Sequence, residues 1–161
     1  MGLNKQYKDS VFSLLFSEPD VLRELYGAIC GVPLDPSIPV TINTLEGALF
    51  MERINDISFE IARKLVVLLE HQSTINPNMA LRLLMYIARI YEKIIDSRKI
   101  YSVKKLAVPR PEFIVLYNGV EPYPDESVLR LSGSFEESGL PVLSAAPALE
   151  LAVKVYNINE G

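Results

Sequence analysis

Residues 54–72 read Ile54-Asn55-Asp56-Ile57-Ser58-Phe59-Glu60-Ile61-Ala62-Arg63-Lys64-Leu65-Val66-Val67-Leu68-Leu69-Glu70-His71-Gln72. The first half alternates: Ile57, Phe59 and Ile61 share one face, and Asp56, Ser58 and Glu60 share the other. The run from Leu65 to Leu69 is apolar on both faces, which fits a strand inside a covered sheet. Ala62-Arg63-Lys64 is short enough to turn a hairpin, although it lacks the Asn-Gly signature of a tight turn.

Downstream, Asn76 is placed to cap a helix and Pro77 suits its first position. Met79, Leu83, Ile87, Ile90 and Ile94 form a helical stripe, and the pattern runs to about Ser97. A basic loop around Lys104-Lys105 precedes an apolar strand, Phe113 to Tyr117, which ends at Asn118-Gly119. A helix between two strands is a crossover, so the strands at 65–70 and 113–117 are expected to be parallel. Val128 to Leu131 fits a short strand, and Leu149, Leu151, Val153 and Val155 alternate as a final one.

Upstream, residues 5–30 read as helix, interrupted at Ser17-Glu18-Pro19-Asp20. Ser17 is the expected cap and Pro19 lies in the first turn of the second helix. Gly31 is placed to end it. Cys30, on an apolar helix face, is read as core. Three prolines follow within residues 33–39, and Val40 to Asn43 fits a short edge strand.

The order of these helices and strands makes a mixed α/β core, and with 49% of the 161 residues hydrophobic and 22% charged the chain reads as one globular domain. No apolar run reaches the ~18 residues of a membrane span, and the N-terminus lacks a signal-peptide core. A single cysteine cannot form an internal disulfide, which favours a reducing cytoplasm. The net charge of −4 means that contact with a polyanion must come from a local patch.

Chemistry concentrates at the hairpin. Asp56 opens one strand, and Glu70 and Gln72 close the other on a shared face. An ionised Glu70 within an apolar run is costly unless something compensates it. Two carboxylates at adjacent strand ends, with a polar group beside them, suit a hard cation such as Mg²⁺. On spacing alone the same residues also fit ordinary solvated strand ends. Arg82 and Tyr86, with Arg89 and Lys93 beyond them, lie along one helix face. That line reads either as phosphate contacts or as a solvated face. His71 points away from Glu70 and is read as structural. With one histidine and no Gly-x-Ser-x-Gly elbow, neither a histidine metal cluster nor a serine triad is indicated.

Several ordered segments carry a resemblance. They are Tyr7-Lys8-Asp9-Ser10-Val11-Phe12, Asn55-Asp56-Ile57-Ser58-Phe59, Glu70-His71-Gln72-Ser73-Thr74 with Ile75-Asn76-Pro77-Asn78-Met79, and Pro111 to Gly119. With the Arg82/Tyr86 helix and Tyr156-Asn157-Ile158-Asn159, they resemble the recombination-promoting nuclease and transposase family of bacteria. That family lies within the PD-(D/E)XK nuclease superfamily. The resemblance implies a restriction-endonuclease-like core, a central mixed β-sheet flanked by helices. It implies a DNA endonuclease dependent on Mg²⁺, with Mn²⁺ as a substitute, acting in recombination or transposition.

By motif match, Asp56 and Glu70 are the metal-binding acids, and Gln72 stands where the superfamily has lysine. Asp9 is either a further acid near the metal or an exposed helix residue. An amide cannot accept a proton at neutral pH, so Gln72 is expected to orient water and not to act as base. Lys64, on the hairpin turn, is a weaker substitute. Relatives continue past residue 159 into a helical region. The expectation is therefore a single domain over residues 1–161 without that region, acting on DNA and not on membranes, with a homodimer among its assemblies. The competing expectation is a catalytically silent nucleic-acid-binding or oligomerisation module of the same fold.

Overall fold

The computed structural model describes residues 11–12, 14–43, 56–137 and 139–159, with Asp56 described by its backbone. Asp9 lies outside these residues. Six strands form one mixed sheet in the order β1-β2-β3-β4-β6-β5. They are β1 (Val40–Asn43), β2 (Asp56–Ile61), β3 (Leu65–Gln72), β4 (Arg110–Tyr117), β5 (Glu126–Arg130) and β6 (Ala152–Asn157). Helix α1 spans Pro19–Cys30, α2 spans Met79–Ile94, and the short α3 spans Ser97–Ile100. The class is α/β, as the residue pattern indicates.

β2 and β3 are antiparallel, and β3 and β4 are parallel across the α2 crossover. β4 and β6 are also parallel, while β1 and β5 are antiparallel edge strands. β3 is buried from Val66 to Gln72, which explains its apolar run. Its even-numbered positions Val66 and Leu68 join Met79, Leu83, Tyr86, Ile87 and Ile90 of α2 in one core layer. Its odd positions Val67 and Leu69 join Phe12, Phe16, Leu22 and Phe59 in the other. The sheet is thus covered on both faces, and no helix among the described residues is long and apolar enough to cross a membrane.

The helix ends differ from expectation. Ser17 does not cap α1: its hydroxyl donates to the Leu14 carbonyl, and Glu18 takes the cap position without a side-chain bond. Pro19 does begin the helix, and Gly31 ends it in the left-handed region at φ 69°. Cys30 is exposed, a correction to its reading as core, because it is the last residue of α1, where the helix ends at Gly31. Asn76 makes a turn and does not cap α2. Its Oδ1 accepts the Asn78 N–H at 2.9 Å, so the helix starts at Met79. α2 stops at Ile94, short of Ser97, where the carboxylate of Asp96 caps α3 by accepting the Arg98 N–H. The last strand starts at Ala152, leaving Leu149 exposed outside it.

The β2–β3 turn closes with the Lys64 N–H donating to the Ile61 carbonyl at 3.0 Å. Ala62 and Arg63 both take positive φ, 52° and 55°. A primed hairpin turn demands this of its central residues, and ordinary side chains adopt it at a cost of ~1 kcal/mol or more each.

Candidate active site on the sheet's central strand

Glu70 and Gln72 extend the face of β3 that α2 covers, beyond the apolar pair Val66 and Leu68. Both are buried, Glu70 with 3% of its surface exposed. An isolated carboxylate at such a site would be destabilising by several kcal/mol. Two neighbours compensate it. Arg82 Nη1 lies 3.1 Å from Glu70 Oε1. Gln72 Nε2 donates to the same oxygen at 2.7 Å. The Gln72 side-chain Oε1 in turn accepts the Asn76 N–H at 3.1 Å, which ties the strand end to the turn that starts α2. Met79, at the start of α2, closes the cluster: its sulfur receives Gln72 Nε2 at 2.8 Å and Arg82 Nη1 at 3.4 Å.

Arg82 is held from its other side as well. Its Nη2 donates to the Tyr86 hydroxyl at 3.1 Å, and its guanidinium carbon lies 5.7 Å from the Tyr86 ring centre. The i,i+4 spacing read from the sequence brings these two together, and the crossover sets Arg82 against Glu70. Arg89 and Lys93 continue along α2 as exposed residues.

Glu70 Oε2 differs from Oε1. It is buried and has no hydrogen-bond partner among the described residues. Across the hairpin, the Asp56 Cα pairs directly with that of Glu70, so the two positions share one face at adjacent strands. The donor set fits a hard cation: one acid with an unsatisfied oxygen, a second acid position in register, and a neutral amide beside them. No cluster of three or more His, Cys, Asp or Glu occurs among the described residues. Mg²⁺ needs no more than one or two protein carboxylates when water completes its shell.

His71 points to the opposite face, where it stacks on Phe12 with ring centres 4.8 Å apart and planes 18° from parallel. It is a core residue between β3 and the N-terminal helical segment. Lys64 lies in the turn just before the other end of β3. Six residues of strand, about 20 Å, separate it from Glu70, so it cannot stand in for the absent lysine.

Spacing alone missed two members of this cluster. The Asn76 backbone N–H and the Met79 thioether both contact Gln72, yet Met79 reads simply as the first residue of the core stripe. The compact Glu70-His71-Gln72…Asn76-Pro77-Asn78-Met79 run is the signal that could have found them. A strand end and a helix start separated by six residues must lie close in space.

A family model described as "Putative transposase, YhgA-like" matches residues 50–154, a span that holds β2, β3, α2 and every member of the Glu70 cluster. No curated protein and no solved structure matches the chain.

Proposed function

We propose, from the premise that the chain belongs to the YhgA-like transposase family, that it hydrolyses phosphodiester bonds of DNA at the Glu70 site with the help of a divalent cation. Family membership carries a transposition-related role, and DNA is the partner that such a role requires. The observation that carries the finer reading is the buried, half-satisfied carboxylate of Glu70, with Asp56 paired to it across the hairpin. The order of antiparallel hairpin, crossover helix and parallel strand supports the same reading.

Glu70 and Asp56 would hold Mg²⁺, with Mn²⁺ as the alternative. Such a cation polarises a phosphate and lowers the pKa of water. Gln72 orients. Its Nε2 fixes Glu70 in one rotamer, and its bond to Asn76 fixes Gln72 itself, leaving no side chain at this position that can take a proton. Arg82 supplies the positive charge that lysine would bring in the wider superfamily, delivered from α2 and not from β3. A guanidinium also matches two phosphate oxygens at once, which suits it to hold the scissile phosphate.

Calorimetric titration with Mg²⁺ and Mn²⁺ tests the metal half of this reading. Binding to the native protein that disappears in Glu70→Ala is expected. One observation favours a catalytically silent module instead: Arg82 already balances the Glu70 charge. That reading predicts no heat with either metal.

A further inference from the structure

The opposite end of the sheet carries a second concentration of charge. Between Ser97 and Pro111 the chain has five Lys or Arg and no Asp or Glu, in a protein whose net charge is −4. Two of the five, Arg98 and Arg110, pair with Asp96 and Glu112. Lys99, Lys104 and Lys105 are exposed, and of the three Lys99 has the Asp96 carboxylate nearby, which is already bonded to Arg98. The fold adds to them. Leu65 is in register with Arg110, and the Arg110 N–H donates to the Lys64 carbonyl at 2.8 Å. The hairpin turn, with exposed Arg63 and Lys64, therefore lies beside the start of β4 and the same loop. Tyr91 of α2 anchors that loop by donating its hydroxyl to the Pro109 carbonyl at 2.6 Å. Tyr101 stands 89% exposed amid the lysines.

We propose that this basic pole, centred on Arg63, Lys64, Lys99, Lys104 and Lys105, is a docking surface for the DNA phosphate backbone, separate from the Glu70 site. Exposed lysines release counterions from a polyanion on contact, which drives sequence-independent binding. The acidic remainder of the chain makes such a patch the place where a duplex is drawn in and oriented. Along β3 the pole is about 20 Å from Glu70, or roughly six phosphates of one strand. The pole would therefore hold DNA flanking the segment at the carboxylates, and exposed Arg89 and Lys93 lie on α2 between the two. The proposal rests on DNA as the partner, and not on Glu70 being catalytic.

The test is fluorescence anisotropy of a labelled duplex over a series of salt concentrations. It compares the full chain with Lys99→Ala/Lys104→Ala/Lys105→Ala and Lys104→Glu/Lys105→Glu. The triple variant should bind at least tenfold more weakly at low salt. Its slope of log affinity against log salt should be shallower by about 2 to 3, near 0.9 for each lost phosphate contact. The charge-reversal variant should bind more weakly still. Native affinity and slope in both lysine variants would overturn the proposal. So would binding to phosphatidylserine vesicles with none to the duplex. Because the readout is binding and not cleavage, a failure of the native chain to bind metal leaves this surface standing. Conversely, an inert pole leaves the Glu70 reading untouched.

Discussion

Truncating Arg82 leaves Glu70 as a buried charge with one amide neighbour. Breaking such a pair destabilises by about 3 kcal/mol, somewhat less here because the arginine keeps 22% of its side chain in solvent. Urea denaturation of Arg82→Ala should show that loss. Millimolar Mg²⁺ should restore part of it, since a cation at Oε2 replaces the missing positive charge, and should restore nothing in Arg82→Ala/Glu70→Ala. Gln72→Ala removes the partner of the Asn76 N–H as well as a donor to Glu70, and about 1 to 2 kcal/mol is expected to go with it. At this scale the sequence was half informative. The shared face of Glu70 and Gln72 follows from strand alternation, and that of Arg82 and Tyr86 from helical spacing. That these two faces meet does not follow from either period, because the crossover decides it. Arg82 therefore reads equally well as a solvated residue until the sheet is assembled.

Among the elements, the β2–β3 hairpin shows most clearly what local pattern reveals and hides. Alternation in β2 and the apolar run in β3 are visible because burial selects them. The turn is not, because Ala62 and Arg63 adopt positive φ without the glycine or asparagine that announces it. Arg63→Gly should relieve that strain and raise stability by about 0.5 to 1 kcal/mol, read as a higher urea midpoint with unchanged slope. The α2 start was misplaced for a related reason: Asn76 spends its side chain on the Asn78 N–H, a turn that competes with capping. Gly119, just past β4, works in the other direction. A methyl group there would overlap the Ser73 carbonyl and the Tyr117 ring, immediately beyond Gln72. Gly119→Ala should cost about 1 to 3 kcal/mol by overpacking and should weaken metal binding with it.

At the scale of the whole molecule, the sheet separates two charged regions, with the acids at one end of β3 and the lysines at the other. The α/β class was legible from the order of periodic segments, whereas this polarity was not, since residues 63–64 and 97–111 join only through the parallel β3–β4 register. Alkaline stability is also a property of the whole fold. Burial, followed by the neighbouring Cys30, pushes the Tyr26 phenol from 10.0 up to about 12, and burial raises Tyr91 and Tyr156. Phenols whose folded values exceed the unfolded value contribute stability that is complete below pH ~10 and is lost as pH rises through the folded value. Stability should therefore fall above pH ~10, and phenolate absorbance should appear in part only as the protein unfolds. Hydrolysis at the Asp56 and Glu70 carboxylates is read out by nicking of supercoiled plasmid DNA. With Mg²⁺ or Mn²⁺ the native chain should convert supercoiled to open-circular DNA, while Asp56→Ala and Glu70→Ala, each shown to be folded, should not. Equal conversion by the native chain and both variants, or none by the native chain with either metal, would contradict the account.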